Sequence, residues 1–133
     1  MMLPIIVTID GPAGTGKSSA ASQLADRLGF DMLDTGAMYR AVALLAVERE
    51  IDPQNEFALA VAMDHATLDV DFSSRPPTIL LDKRDVRDRI RDADVTSIVS
   101  LVASHHEVRV RLVEAQRQVA LQHERLVTEG RDQ

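Results

Sequence analysis

The run Ile5-Ile6-Val7-Thr8-Ile9-Asp10-Gly11-Pro12-Ala13-Gly14-Thr15-Gly16-Lys17-Ser18-Ser19 constrains this chain more than any other. Its β-branched start reads as a buried strand, its glycine-rich middle as a turn, and its end as the first turn of a helix. The spacing from Gly11 through Gly16 to Lys17 and Ser18 fits G-x-x-x-x-G-K-[ST], a loop that wraps a phosphate. Gly11, Gly14 and Gly16 let successive backbone N–H groups turn toward one anion, in conformations a side chain would obstruct. The helix behind the loop adds its own N–H groups and the positive end of its dipole. In such a loop Lys17 bridges the outer phosphates of a nucleoside triphosphate, and Ser18 ligates the magnesium. A glycine-rich turn can also simply join a strand to a helix. Strand, loop, Lys-Ser and helix in the required order favour the phosphate site.

The totals suit one α/β domain. At 133 residues the chain is long enough to bury a core, and 45% apolar with 27% charged residues is an ordinary globular composition. A net charge of -6 argues against a general nucleic-acid-binding or anionic-membrane surface, so substrate phosphates must meet a local basic cluster. No cysteine is present, which removes disulfides and thiolate chemistry and fits a reducing cytoplasm. Met1 to Ile9 holds Pro4, runs into Asp10 and has no basic flank, so it reads as a strand rather than a signal peptide or membrane span.

Helical spacing of Ala20, Ala21, Leu24, Ala25 and Leu28 predicts a first helix ending at Gly29. A short strand at Phe30–Asp34 follows, then Thr35 as cap of a second helix from Gly36 to about Glu50. A third helix is expected over about Asn55 to Asp64. Leu68-Asp69-Val70-Asp71-Phe72 alternates apolar and acidic residues, and Thr78-Ile79-Leu80-Leu81 resumes after a proline break, predicting an antiparallel hairpin. Asp69 and Asp71 are then the wet face of a strand, not a catalytic pair. Asp82 to Asp85 reads as a turn and the charged stretch to Asp94 as connector, with a helix start near Asp92 or Asp94. Val95, Ile98, Val99 and Val102 predict one helix to about Ser104. His105-His106 break it as solvent-facing residues rather than metal ligands. A long helix from about Glu107 to Glu124 buries Val108, Leu112, Val113 and Val119, and Leu126 to Glu129 forms a last strand. The parallel strands are expected to be buried on both faces. Tyr39 reads as packing.

Three arginines stand at element ends. Arg40 lies just inside the second helix, Arg109 opens the long helix, and Arg131 follows the last strand. The carboxyl edge of an open α/β sheet is where ligands bind, and guanidinium groups there suit a second phosphate.

With Leu33-Asp34-Thr35-Gly36-Ala37-Met38-Tyr39-Arg40 and Glu129-Gly130-Arg131-Asp132 added to the loop, the chain resembles the bacterial (d)CMP kinases, the cytidylate kinases. Leu28-Gly29-Phe30, Leu68-Asp69-Val70, Asp85-Val86 with Ile90-Arg91, and Val108-Arg109 extend the match. The resemblance implies a P-loop kinase core with a parallel sheet, a single domain over 1–133, and an inserted monophosphate-binding segment over 64–104. It implies transfer of the ATP γ-phosphoryl group to CMP or dCMP, with Mg2+ as cofactor. Gly11, Pro12, Ala13, Gly14, Thr15, Gly16, Lys17, Ser18 and Ser19 would hold the ATP phosphates. Thr35, Ser100, Arg109 and Asp132 would surround the cytosine, and Arg40 and Arg131 would grip the acceptor phosphate. Lys17, Arg131 and Asp132 are the implied catalytic residues.

Members of that family continue beyond Arg131-Asp132 into further strands and an arginine-bearing lid, so the chain reads as truncated and weak or inactive in transfer. Two other functions stand beside the kinase: a nucleotide-binding remnant without turnover, and another small-molecule kinase of the same fold, for shikimate or a sugar acid. The uncovered edge of Ile5–Ile9 is expected to promote self-association.

Overall fold

The computed structural model describes residues 5–10, 17–74, 76–122 and 125–130. β1 (Ile5–Asp10) leads to α1 (Lys17–Leu28), β2 (Asp31–Asp34) and α2 (Thr35–Glu48). α3 (Glu56–His65) precedes β3 (Leu68–Asp71), β4 (Thr78–Leu81) and β5 (Arg84–Asp85). A 3₁₀ turn at Arg89–Arg91 is followed by α4 (Ala93–Thr96), α5 (Val99–Ser104), α6 (His106–Gln122) and β6 (Arg125–Gly130). The chain divides into two compact units, Met1–Gly36 with Gln116–Gln133, and Ala37–Ala115.

The first unit is a parallel sheet in the order β1-β6-β2. The last strand in sequence lies in the middle, where Leu126, Val127 and Thr128 are buried. α1 contributes Ala21 and Ala25, which pack with Phe30 and Val127 against Val7, Ile9, Leu24 and Met32. The small alanines let the helix approach the sheet closely. Gly29 ends α1 in the left-handed region, at φ 67°, and the Phe30 N–H returns to the Ala25 carbonyl at 2.9 Å. Burial on both faces describes β6 but not β1, where Ile5 and Ile6 remain 50% and 43% exposed. The reason is position: β1 ends the sheet among the described residues, so it has one paired neighbour instead of two. Ala20 and Leu28 are exposed as well, which narrows the buried stripe of α1.

The core of the second unit is built on α2. Ala37, Met38 and every residue from Ala41 to Ala46 are buried, as expected of a helix apolar on all sides. Leu59, Leu81, Val95, Val102, Val108 and Leu112 complete that core. α3 is capped by Asn55, whose side-chain oxygen accepts the Ala58 N–H at 3.1 Å. β3 and β4 pair antiparallel, with Leu68 opposite Leu81 and Asp71 opposite Thr78. Arg84-Asp85, expected as turn, instead adds β5 to β4. Two charged residues carry no apolar alternation, so only the tight turn before them sets the pairing.

That turn is made by Asp82 and Lys83, both left-handed at φ 50° and 66°. This is the backbone of a two-residue hairpin whose twist matches the strands, and it favours glycine or asparagine. Glu50 is likewise left-handed, at φ 53°, where α2 stops and the Ile51 N–H bonds the Ala46 carbonyl. We expect Lys83→Gly and Glu50→Gly each to stabilise the protein by up to about 1 kcal/mol, because a side chain in this region is strained by about that amount. Denaturant midpoints of the two variants check this; a lower midpoint for either contradicts it.

Three helix boundaries differ from expectation. Thr35 is the first residue of α2 rather than the cap before it. The single helix expected from Asp92 or Asp94 to about Ser104 starts at Ala93 as expected but is two, since the Ser97 hydroxyl bonds the Asp94 carbonyl at 2.9 Å and the Ile98 N–H tightens onto the Val95 carbonyl. His105 alone forms the next break, while His106 begins α6. On α6, Val108 and Leu112 are buried as expected, whereas Val113 is 37% exposed and Val119 is half-buried.

Candidate functional site

Parallel pairing puts the carboxyl ends of the three strands level. Asp10 stands opposite Gly130, Ile9 opposite Glu129, and Asp34 opposite the same Glu129. The chain therefore leaves β1 toward Gly11, β2 toward Thr35 and β6 toward Arg131 from one edge of one sheet. That edge is the ligand-binding edge of open α/β sheets. Lys17 and Ser18 are the first two residues of α1, so the Gly11–Gly16 segment joins the end of a strand to the start of a helix. This is the structural context the phosphate-loop spacing requires. Gly11, Pro12, Ala13, Gly14, Thr15 and Gly16 themselves lie outside the described residues, as do Arg131 and Asp132. Ser19 is exposed on the first turn of α1, and the Thr35 side chain is buried at the start of α2.

Arg40, Ser100 and Arg109 belong to the second unit. Ser100 lies on α5 and Arg109 on α6, both exposed. Arg40 is half-buried on α2 and donates from Nη1 to the Ile90 carbonyl at 3.1 Å and to Thr96 Oγ1 at 2.8 Å. Thr96 was not a candidate on sequence grounds; its one signal is a hydroxyl beside the buried Val95.

Other charged residues in this unit are structural ties. Arg111 bonds Asp64 from α6 to α3 at 2.9 and 3.1 Å, and also bonds Glu107 one turn before it. The Glu107 N–H is capped by the Glu56 carboxylate. Arg84 grips Glu48 with two bonds, at 3.0 and 2.7 Å, and holds that carboxyl below the usual carboxylate range. The His105 ring donates from Nε2 to the Pro53 carbonyl at 2.7 Å, tying the α5–α6 break to the loop before α3. Among the described residues no group of three or more His, Cys, Asp or Glu is placed to hold a metal. No helix among them is long and apolar enough to cross a membrane.

Arg89 donates to both oxygens of Asp94 at 2.6 Å and to Asp92 at 2.9 Å, fastening the 3₁₀ turn to α4. The Arg89 bonds pull the Asp94 carboxyl from 3.8 down to about 2. A depressed carboxylate stabilises the folded state fully above its ordinary pKa and loses that contribution as pH falls through the folded value. The melting temperature of wild type is therefore expected to exceed that of Asp94→Asn above about pH 4, with the gap closing toward about pH 2. A gap that persists unchanged at pH 2 contradicts the pairing. The pair is exposed, so its contribution also shrinks in salt.

A parallel sheet whose first strand passes through a GxxxxGKS segment into a helix marks a phosphate-binding-loop α/β protein. The profile of the family described as cytidylate kinase matches residues 7–133, and the chain belongs to that family. It is 39% identical over 128 residues to a cytidylate kinase of Oceanobacillus iheyensis, covering 96% of this chain and 55% of the relative. It is 43% identical over 129 residues to a cytidylate kinase of Nocardia farcinica, covering 97% of this chain and 56% of the relative. A bifunctional pantoate ligase/cytidylate kinase of Prochlorococcus marinus is 43% identical over 128 residues, with 96% of this chain and 26% of the relative covered. The chain thus spans little more than half the length of the first two.

Proposed function

We propose that this chain carries the phosphate-loop and monophosphate-binding part of a cytidylate kinase, which moves the γ-phosphoryl group of ATP to CMP or dCMP. The observation that carries the reading is a strand ending at Asp10 and a helix starting at Lys17 with the GxxxxGKS spacing across them, set in a chain that matches the family from residue 7 to residue 133. In this reading Gly11 to Ser19 hold the ATP phosphates, with Lys17 on the outer ones. Ser18 ligates Mg2+, which supplies charge neutralisation between the phosphates when bound; a hydroxyl at the start of a helix is a suitable donor for it. Arg40 and Arg131 bind the acceptor phosphate. Thr35, Ser100, Arg109 and Asp132 select cytosine, the last two by its ring nitrogen and amino group. The 64–104 segment, with its antiparallel β3–β4–β5 sheet, acts as the monophosphate-binding insertion, and the setting is cytoplasmic.

No strong general base is needed. The acceptor is a phosphate monoester with a second pKa near 6, so at neutral pH it is already mostly dianionic. What remains is to bring two anions into line, which cations and positioning accomplish.

CDP formation from CMP and ATP in a coupled assay tests transfer. Turnover above background supports the kinase and rules out a remnant that only binds. Thermal stabilisation by CMP, UMP, AMP, shikimate and sugar acids tests the acceptor, since a specific ligand raises stability by mass action. Stabilisation by one of the others but not by CMP would move the protein to another kinase of the same fold.

The Ile5–Ile9 stretch of β1, which has one paired neighbour among the described residues, is proposed to pair with another chain. The opposite edge, β2, begins and ends in aspartate, the usual guard against such pairing. Sedimentation of wild type against Ile6→Lys checks this: association that persists unchanged in the variant removes the edge as its cause.

A further inference from the structure

We infer that Thr96 is a positioning residue for Arg40, and through it for the acceptor phosphate; the second half rests on the reading above. The geometry is local to the second unit. One nitrogen of the Arg40 guanidinium, Nη1, points its two N–H groups at two oxygens, the Ile90 carbonyl at 3.1 Å and the Thr96 hydroxyl at 2.8 Å. Two acceptors on one planar group fix the direction in which its other donors face, because the guanidinium fork is rigid.

Both acceptors are themselves held. Ile90 and Val95 bury their side chains almost completely, which anchors the backbone on either side of the turn. The Thr96 N–H returns to the Asp92 carbonyl at 2.9 Å, and its hydroxyl lies 3.5 Å from the Arg91 carbonyl, within reach to donate. The Arg89–Asp94 pair closes the same turn from outside. Arginine loses much rotamer freedom when a ligand immobilises it. A hydroxyl that orders the side chain beforehand lowers that loss at the moment of binding, which is affinity through preorganisation. Ile90 contributes through its main chain and is indifferent to substitution in that respect. Of these two acceptors, Thr96 is the one that sequence controls.

The test uses Thr96→Val, which keeps the shape and removes the hydroxyl, beside Thr96→Ser, which keeps the hydroxyl. In the ligand-free protein at low temperature, the Arg40 Nη protons, assigned by their loss in Arg40→Lys, are expected as resolved, slowly rotating signals in wild type and Thr96→Ser. They are expected to merge into the averaged arginine signal in Thr96→Val. Unchanged signals in Thr96→Val overturn the positioning role, whatever the protein binds.

On the ligand side, titration with CMP is expected to show affinity about tenfold weaker in Thr96→Val, the effect of one lost hydrogen bond to a charged group. Cytidine, which lacks the phosphate, is expected to bind the variant as it binds wild type. Equal losses for CMP and cytidine, or no loss for either, overturn the link to the phosphate. Wild-type protein that binds CMP no more tightly than cytidine overturns the acceptor reading instead, while the ligand-free spectra still decide whether Thr96 holds Arg40.

Discussion

Lys17→Ala weakens binding of magnesium-ATP by about 10- to 150-fold while leaving CMP binding within about twofold; this is the expected result of isothermal titration of the variant against wild type. The magnitude follows from one charge-assisted contact to phosphate, worth about 1.5–3 kcal/mol when it is removed. The selectivity follows from placement. Lys17 opens α1 directly behind the glycine segment, whereas Thr35, Arg40, Ser100 and Arg109, proposed for CMP, lie on α2, α5 and α6. Adenosine, which has no phosphates, serves as the control ligand. Equal ATP affinity in the variant, or an equal loss for adenosine, would show that Lys17 does not meet the triphosphate.

The second large effect is on stability. Leu44 is fully buried in α2, surrounded in sequence by five other buried residues from Ala41 to Ala46. Leu44→Ala is expected to lower the unfolding free energy by about 2–5 kcal/mol, the sum of lost transfer energy and a cavity that a crowded helix cannot collapse. Against a total of about 5–15 kcal/mol for an ordinary domain, that is a large share. Phe57 supplies the contrast. It has the larger side chain but is 79% exposed on α3, so Phe57→Ala is expected to stay within about 0.5 kcal/mol. Chemical denaturation of both variants measures the difference. A smaller effect at Leu44 than at Phe57 would mean that α2 is not the core of its unit.

Much of this arrangement was legible in the residues themselves. The first strand and the helix that opens at Lys17, the helix over Thr35–Glu48 and the alternation in Leu68–Asp71 each follow one periodicity, so elements of the right type fall at the right places. What escaped notice did so where local pattern and tertiary demand part. Val95, Ile98, Val99 and Val102 keep helical spacing across a break that one serine hydroxyl makes, and a stripe of side chains cannot report a main-chain bond. Arg84-Asp85 is a strand only because a left-handed pair precedes it, and neither Asp82 nor Lys83 is a glycine that would announce such a pair. Val113 fits the apolar stripe of its helix by residue type, yet burial follows the face that meets the core. The exposure of Ile5 and Ile6 departs from burial on both faces but agrees with the uncovered edge expected of Ile5–Ile9.

Of the candidate site, the glycine segment and the arginines stood out as residue types at suggestive spacings. The partners of those arginines did not. Arg111, two residues after Arg109, turns its guanidinium to Asp64 and Glu107. Thr96 has no motif, and only the folded turn brings its hydroxyl to Arg40, 56 residues away in sequence.

The level strand ends make β6 intolerant of a change in length. An insertion or deletion of one residue within it would carry whatever follows Gly130 about 3.3 Å along the strand and turn it to the opposite face of the sheet. The stretch between β3 and β4 ends no parallel strand and carries no such alignment, so length variation belongs there rather than in β6.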